Sequence, residues 1–300
     1  IKNKKGSAII LNKETLLEQF RIFCKKNNPK DFEQAVNYFA VFGGLDIYID
    51  MSLPIEVLIE KHILNKYKFL RNDINILTKG EPEYSTILTG LASGDRRTNS
   101  AFKRANISFD NGIEIVDELC DLKVLRLEKS QQSLSNLQDQ YTVSEKLLFT
   151  TPFLRFWFAF ISPIFKGIRD RNYDEFNKLY ENKKTEFANL VFEQLCHELI
   201  RLNLDGDPIR KIGRYWDDDI DIDLLVRTKS GKTIAGVCKY TNSKVKKSEL
   251  NLLKEKCEKV KIDVDMYVMF SKNGYSSELK SLKGDKLRLF TVKSLKQLVI

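Results

Sequence analysis

The apolar spacing of this chain changes near residue 206, and that change limits what it can fold into. Before it, apolar residues mostly recur three and four apart, as in Leu16, Leu17, Phe20 and Phe23, and again in Phe187, Leu190, Val191, Leu195 and Leu199. After Gly206-Asp207-Pro208, a turn signal, they alternate through Ile220, Ile222, Leu224 and Val226. Spacing of three and four buries one side of a helix, whereas alternation buries one face of a strand. The pattern predicts a largely helical first part followed by an α/β part, with the boundary between residues 165 and 185. At 300 residues the chain has length for about two domains.

Within the first part, helices are predicted over Phe32–Phe42, stopped by Gly43-Gly44, and over Pro54–Phe69, with Ser52 as N-cap and Pro54 in the first turn. Residues 84–92, 96–104 and 110–122 read as three short helices, and 124–127 and 140–143 as two short strands around a polar loop. Three helices and a hairpin make the winged-helix plan, which also serves as a packing or protein-contact module. The third helix carries Asp110, Glu114, Asp117, Glu118 and Asp121, the wrong charge for a groove flanked by phosphates. Arg96, Arg97, Lys103 and Arg104, on the preceding segment, are the expected phosphate contacts. The stretch Phe153–Phe165 reads as a buried, aromatic-rich helix, and another helix runs from about Asn172 to Leu202. The chain is thus divided into a helical region at 1–80, a winged-helix domain with a linking helix at 81–165, and an α/β domain at 166–300. In the last, strands are expected near 220–227, 232–240 and 264–270, a helix at 247–261, and a closing strand and helix in the tail.

The formal net charge is +9 despite 41 acidic residues, which is compatible with a polyanion partner if the charge is clustered. Residues 227–261 hold eleven Lys and Arg against Glu249, Glu255 and Glu258, so clustering exists locally. Arg214, Lys244, Lys246 and Lys247 are taken as nucleic-acid contacts, whereas beyond Lys247 a solvated helix face is an equal reading. Five scattered cysteines without a C-x-x-C spacing point to reduced thiols and a cytoplasmic setting, and two histidines leave little for a Cys/His zinc site. The most apolar stretch is interrupted by Arg155 and too short to cross a bilayer, so no membrane association is expected.

The densest chemistry lies between Asp217 and Lys239. Five aspartates occupy the seven positions from Asp217 to Asp223. Alternation puts Asp219, Asp221, Asp223 and Leu225 on one strand face, and Ala235, Val237 and Lys239 on one face of the returning strand. Pairing through Ser230-Gly231 brings Asp223 and Lys239 toward each other, and Glu193 on the preceding helix can lean over the same place. Clustered carboxylates repel unless a cation neutralises them, and Mg²⁺, with Mn²⁺ as substitute, suits carboxylate oxygens. A lysine beside such an ion could activate water against a phosphodiester. An exposed, merely solvated acidic turn is the competing reading. Ser-Gly-Lys-Thr at 230–233 has Val226 where a phosphate-binding loop needs glycine, and an apolar strand follows instead of a helix. It reads as a hairpin turn, and no ATP is expected in this chain.

Taken in order, several short motifs resemble one family. Phe192-Glu193, Gly213-Arg214-Tyr215-Trp216, Asp221-Ile222-Asp223, Cys238-Lys239-Tyr240-Thr241 and the stretch from Tyr267 to Tyr275 resemble the C-terminal region of the archaeal-type P-loop ATPases. Upstream, Tyr38 to Gly44 resembles the segment after the ATPase module, Tyr84 to Gly94 its winged helix, and Pro152 to Phe158 its linking helix. The likeness covers about residues 35–290, without the ATPase module. It implies a PD-(D/E)XK restriction-endonuclease-like fold, with Glu193, Asp223 and Lys239 in catalytic positions and Asp223, Asp221 and Glu193 as metal ligands. The family pattern has an acidic or amide residue two before the lysine, where this chain has Val237. The expected function is DNA binding, DNA ahead of RNA, with Mg²⁺-dependent phosphodiester cleavage. The alternative is an inactive nuclease-fold module that binds nucleic acid or regulates a separate ATPase.

Overall fold

The structure, a computed structural model, describes residues 14–136, 143–204 and 206–300. These divide into two compact units, the first built from residues up to 30, 34–128 and 144–184, the second from 31–33, 129–143 and 185–300.

The first unit is almost wholly helical. Helix α1 (Leu16–Asn27) opens on a capping box in which Thr15 and Glu18 satisfy each other's backbone amides. Its Phe20 and Phe23 pack on Phe39 of α2 (Phe32–Phe42), with ring centroids 5.2 and 5.5 Å apart. The helix expected over Pro54–Phe69 is broken. α3 (Ile55–Ile59) runs into a π turn at Glu60–Leu64 before α4 (Tyr67–Leu77) starts. Pro54, not Ser52, precedes the first turn, because the Ser52 hydroxyl donates to Asp50 at 2.6 Å.

The three short helices fall where the spacing predicts them, as α5 (Pro82–Ser93), α6 (Thr98–Ala105) and α7 (Phe109–Asp121). Strand β1 (Leu125–Glu128) follows and pairs antiparallel with β2 (Lys146–Phe149). A bridge between Arg97 and Lys146 adds a third short rung. Three helices and a small sheet reproduce the winged-helix plan. The second strand lies later than residues 140–143; of these, 140–142 lie outside the described residues and Val143 precedes the strand. The aromatic stretch becomes α8 (Pro152–Phe156), a π turn at Trp157–Ile161, a 3₁₀ turn and α9 (Phe165–Arg169), and α10 (Asp174–Leu202) follows.

The second unit holds a mixed five-stranded sheet in sequential order. Its strands are β3 (Ile209–Trp216), β4 (Asp221–Thr228), β5 (Thr233–Lys239), β6 (Met266–Ser271) and β7 (Leu287–Thr291). The first three run antiparallel and the last three parallel. Parallel neighbours need a crossover, and α11 (Lys247–Lys259) and α12 (Ser277–Ser281) lie in the two connections. The Ser-Gly-Lys-Thr segment is a hairpin turn between β4 and β5, with Gly231 at φ +93°. The tail ends in a 3₁₀ helix, Val292–Leu298, after β7.

The register pairs Leu224 with Gly236 and Leu225 with Ala235. Two β4 residues, Asp223 and Leu224, stand opposite the single Arg214, so the alternation shifts there. Ile222 joins Leu225 and Ala235 in the core beside Val237, and Asp221 and Asp223 turn toward Arg214, not to the Val237 and Lys239 face that alternation predicts. Leu225 and Ala235 pack with Leu253 and Cys257 of α11 in one core cluster, and Met269, Tyr275 and Leu279 belong to a second. Val237 packs against both clusters, an apolar role at the position where the family pattern has a polar one.

Candidate functional site

The site forms where β3, β4 and β5 meet α10 and α11. It begins with an irregularity in β4: the register against β3 shifts between Gly213 and Tyr215, so that Asp223 and Leu224 both stand opposite Arg214. A bulge re-aims the side chains of the strand that carries the extra residue, here Asp223 and its neighbours, toward the residue opposite. One nitrogen of the Arg214 guanidinium reaches both Glu193 oxygens, at 2.7 and 2.8 Å, and another reaches Asp221 Oδ1 at 2.7 Å and Asp223 Oδ1 at 3.7 Å. Glu193 is buried on α10, and the Arg214 side chain is 12% exposed. Burial opposes the arginine's charge, but Glu193, Asp221 and Asp223 outweigh it and hold the guanidinium more firmly protonated than usual.

Asp223 is fixed from the other side. Its Oδ2 accepts the backbone N–H of Cys238 at 2.8 Å, and its carbonyl meets His197 Nε2 at 2.8 Å. Burial raises its carboxyl above the ordinary value, and Arg214 only partly opposes this because its charge is closer to Glu193 and Asp221. Lys239 is ion-paired with Glu249 of α11 at 2.9 Å, and Lys256 Nζ donates to the Asp221 carbonyl at 2.8 Å. Between these groups lies a pocket of about 60 Å³ lined by Asp221, Asp223, Val237, Lys239, Glu249 and Lys256, among others.

β4 and β5 pair as the spacing predicts, and Asp221, Asp223 and Lys239 line one pocket, but Asp223 turns toward Arg214 while Lys239 turns to Glu249 of α11. Glu193 joins them through Arg214. The charge problem raised by clustered carboxylates is met from within the chain: Glu193, Asp221, Asp223 and Glu249 face Arg214, Lys239 and Lys256. A divalent ion does not fit this arrangement. The carboxylates that would ligate it are joined by a guanidinium, and Val237 supplies apolar packing in place of an oxygen. Among the described residues no group of three or more His, Cys, Asp or Glu is placed to hold a metal.

The other aspartates have local duties. Asp217 accepts from the backbone of Asp219 and Ile220 at 2.9 and 2.6 Å and from the Tyr215 hydroxyl at 2.8 Å, so it shapes the turn, while Asp218 and Asp219 are exposed.

Two of the basic residues expected at phosphates are spent inside the fold. Arg214 is the first, and Arg96, buried and paired with Glu128 at 2.8 Å, is the second. Arg97 is half-buried, whereas Lys103, Arg104, Lys244 and Lys246 are exposed, and Lys247 is paired with Glu278 at 3.0 Å. Sequence reasoning missed Glu249 and Lys256, which enter the pocket from α11, and the inward turn of Arg214. An arginine seven residues before Asp221, across the turn from it, was the available signal for the last.

The second unit is thus a mixed α/β structure whose central strands carry an arginine–carboxylate cluster beside a small charged pocket. Residues 157–268, a little over a third of the chain, match the DUF234 family, archaeal and bacterial proteins of unknown function. That span holds α10, β3, β4, β5, α11 and the start of β6, so it contains the whole cluster. No curated protein and no solved structure gives a significant match.

Proposed function

We propose that this chain is a nucleic-acid-binding protein whose C-terminal unit is a PD-(D/E)XK nuclease-like module that holds nucleic acid without cleaving it. The observation that carries this reading is the seat of Arg214: its guanidinium joins Glu193 and Asp221 at 2.7 Å, where a hydrolytic module needs an ion on carboxylates. Val237, packed against the core beside α11, supplies no further oxygen. Binding is supported by the lysines of the second unit, among which Lys244, Lys246, Lys254, Lys259 and Lys261 are exposed. Lysines at this density replace counterions along a phosphate backbone. The winged helix contributes little to this, because the exposed side of α7 presents Asp110, Glu114, Asp117 and Asp121.

Anisotropy titration of labelled duplex and single-stranded DNA across a salt series tests the binding. Affinity is expected to fall linearly with salt on logarithmic axes, without dependence on Mg²⁺. A flat salt response, or binding that appears only with Mg²⁺, contradicts the proposal.

A further inference from the structure

The segment that follows β1 belongs to the second unit and lies along the outer edge of β3. The Ser130 hydroxyl donates to the Trp216 carbonyl at 2.7 Å and accepts the Trp216 N–H at 2.8 Å. The Gln131 N–H donates to the carbonyl of Arg214 itself at 2.9 Å. The Gln131 side chain lies against Gly213, where a Cβ would stand 2.8 Å from its Nε2 and push that amide aside. The segment is anchored further along, since Leu134 enters the core with Tyr215 and Leu253, and the Ser135 hydroxyl donates to the Val260 carbonyl at 2.5 Å.

The β3 backbone at Arg214 is therefore held from two sides, by the β4 ladder with its bulge opposite Arg214 and by Ser130 and Gln131. An edge strand with a register shift has no second ladder to fix its local twist. Here two residues take that part, and they bond to the backbone on the residues that flank and include Arg214. Resting on the reading of the site as sealed by Arg214, we infer that Ser130 and Gln131 are positioning residues for Arg214: they keep its guanidinium seated, and loosening them opens Glu193, Asp221 and Asp223 to a divalent cation. Three carboxylates around one vacated guanidinium position repel one another, and a hard cation with retained waters relieves that repulsion.

The test uses the full chain and Mn²⁺, with bound ion counted from the loss of the free Mn²⁺ paramagnetic signal. The variants are Ser130→Ala, Gln131→Pro and Arg214→Ala, each with and without Asp223→Asn. Gln131 has φ −79°, a value proline adopts, so Gln131→Pro removes the N–H, and its ring also displaces the Arg214 carbonyl that the N–H had held at 2.9 Å. Wild type should bind no ion at this site. Arg214→Ala should bind one, and the two edge variants should bind it more weakly than Arg214→Ala. Each edge variant should move the seated–unseated equilibrium about fivefold toward the unseated form, the change that losing one hydrogen bond makes. Asp223→Asn should abolish the gain throughout. A merely structural role predicts lower melting temperatures without any gain in ion binding, and that result in the edge variants overturns the inference. No ion in Arg214→Ala overturns it as well. A site ion bound by wild type, lost in Asp223→Asn, instead overturns the sealed-site reading on which it rests.

Discussion

Arg214 sets the character of the site because one planar guanidinium can satisfy several carboxylates at once. Removing it leaves Glu193 buried without its partner, so Arg214→Ala should cost about 3–5 kcal/mol in urea unfolding. Arg214→Lys should recover only part of this, since an ammonium cannot span Glu193 and Asp221 together. Asp223 behaves in the opposite sense. Burial lifts its carboxyl above the unfolded value of about 3.9, so the folded state holds the proton more tightly than the unfolded chain does. Its contribution to stability then falls as pH rises from about 3.9 through the folded value, and the full cost stands above that window. Asp223→Asn, which keeps an acceptor for the Cys238 N–H, should raise the melting temperature at pH 7 and lose that advantage near pH 3.5; equal shifts at both values contradict the assignment.

At the scale of elements, the sequence was most informative where one face of an element meets the core. Strand β5 and the second half of β4 kept their alternation because Leu225 and Ala235 face the interior, whereas the extra β4 residue before Leu225 brings Ile222 to the same face. The helices α5 to α7 were equally legible from their apolar spacing. Strand β3 was not read as a strand, because Arg210, Lys211 and Arg214 interrupt its pattern and an extra residue at Arg210 changes its phase, while a second shift at Gly213 lies in β4. The same shift hid where Arg214 points. Glu249 and Lys256 escaped for another reason: their approach to Asp221 and Lys239 depends on how α11 turns over the sheet, which no local spacing encodes. One helix residue gives a sharp test of packing. Gly112 in α7 lies against the buried Phe102 ring, where a Cβ would stand 2.6 Å away. Although alanine favours helices, Gly112→Ala should destabilise by about 1–3 kcal/mol through overpacking, measured by thermal unfolding. A neutral or stabilising outcome contradicts this packing.

For the whole molecule, charge is distributed by unit and not only by total. The exposed lysines of the second unit sit apart in sequence from the acidic face of α7, so substitutions in the two places should act differently on DNA binding. Each of Lys244→Ala, Lys246→Ala and Lys259→Ala should lower the salt slope by about 1 if it touches phosphate. Glu114→Gln with Asp117→Asn in α7 should leave affinity unchanged or raise it; weaker binding by that pair would assign α7 to the interface. Binding alone, however, does not separate a sealed module from a hydrolytic one. The direct test is incubation of supercoiled plasmid and labelled duplex with saturating protein and Mg²⁺ or Mn²⁺, beside Asp223→Ala and Lys239→Ala. With Arg214 seated on Glu193 and Asp221, wild type should shift the DNA in a gel and leave every strand intact. Metal-dependent cleavage that both variants abolish would show instead that these residues form a working nuclease site.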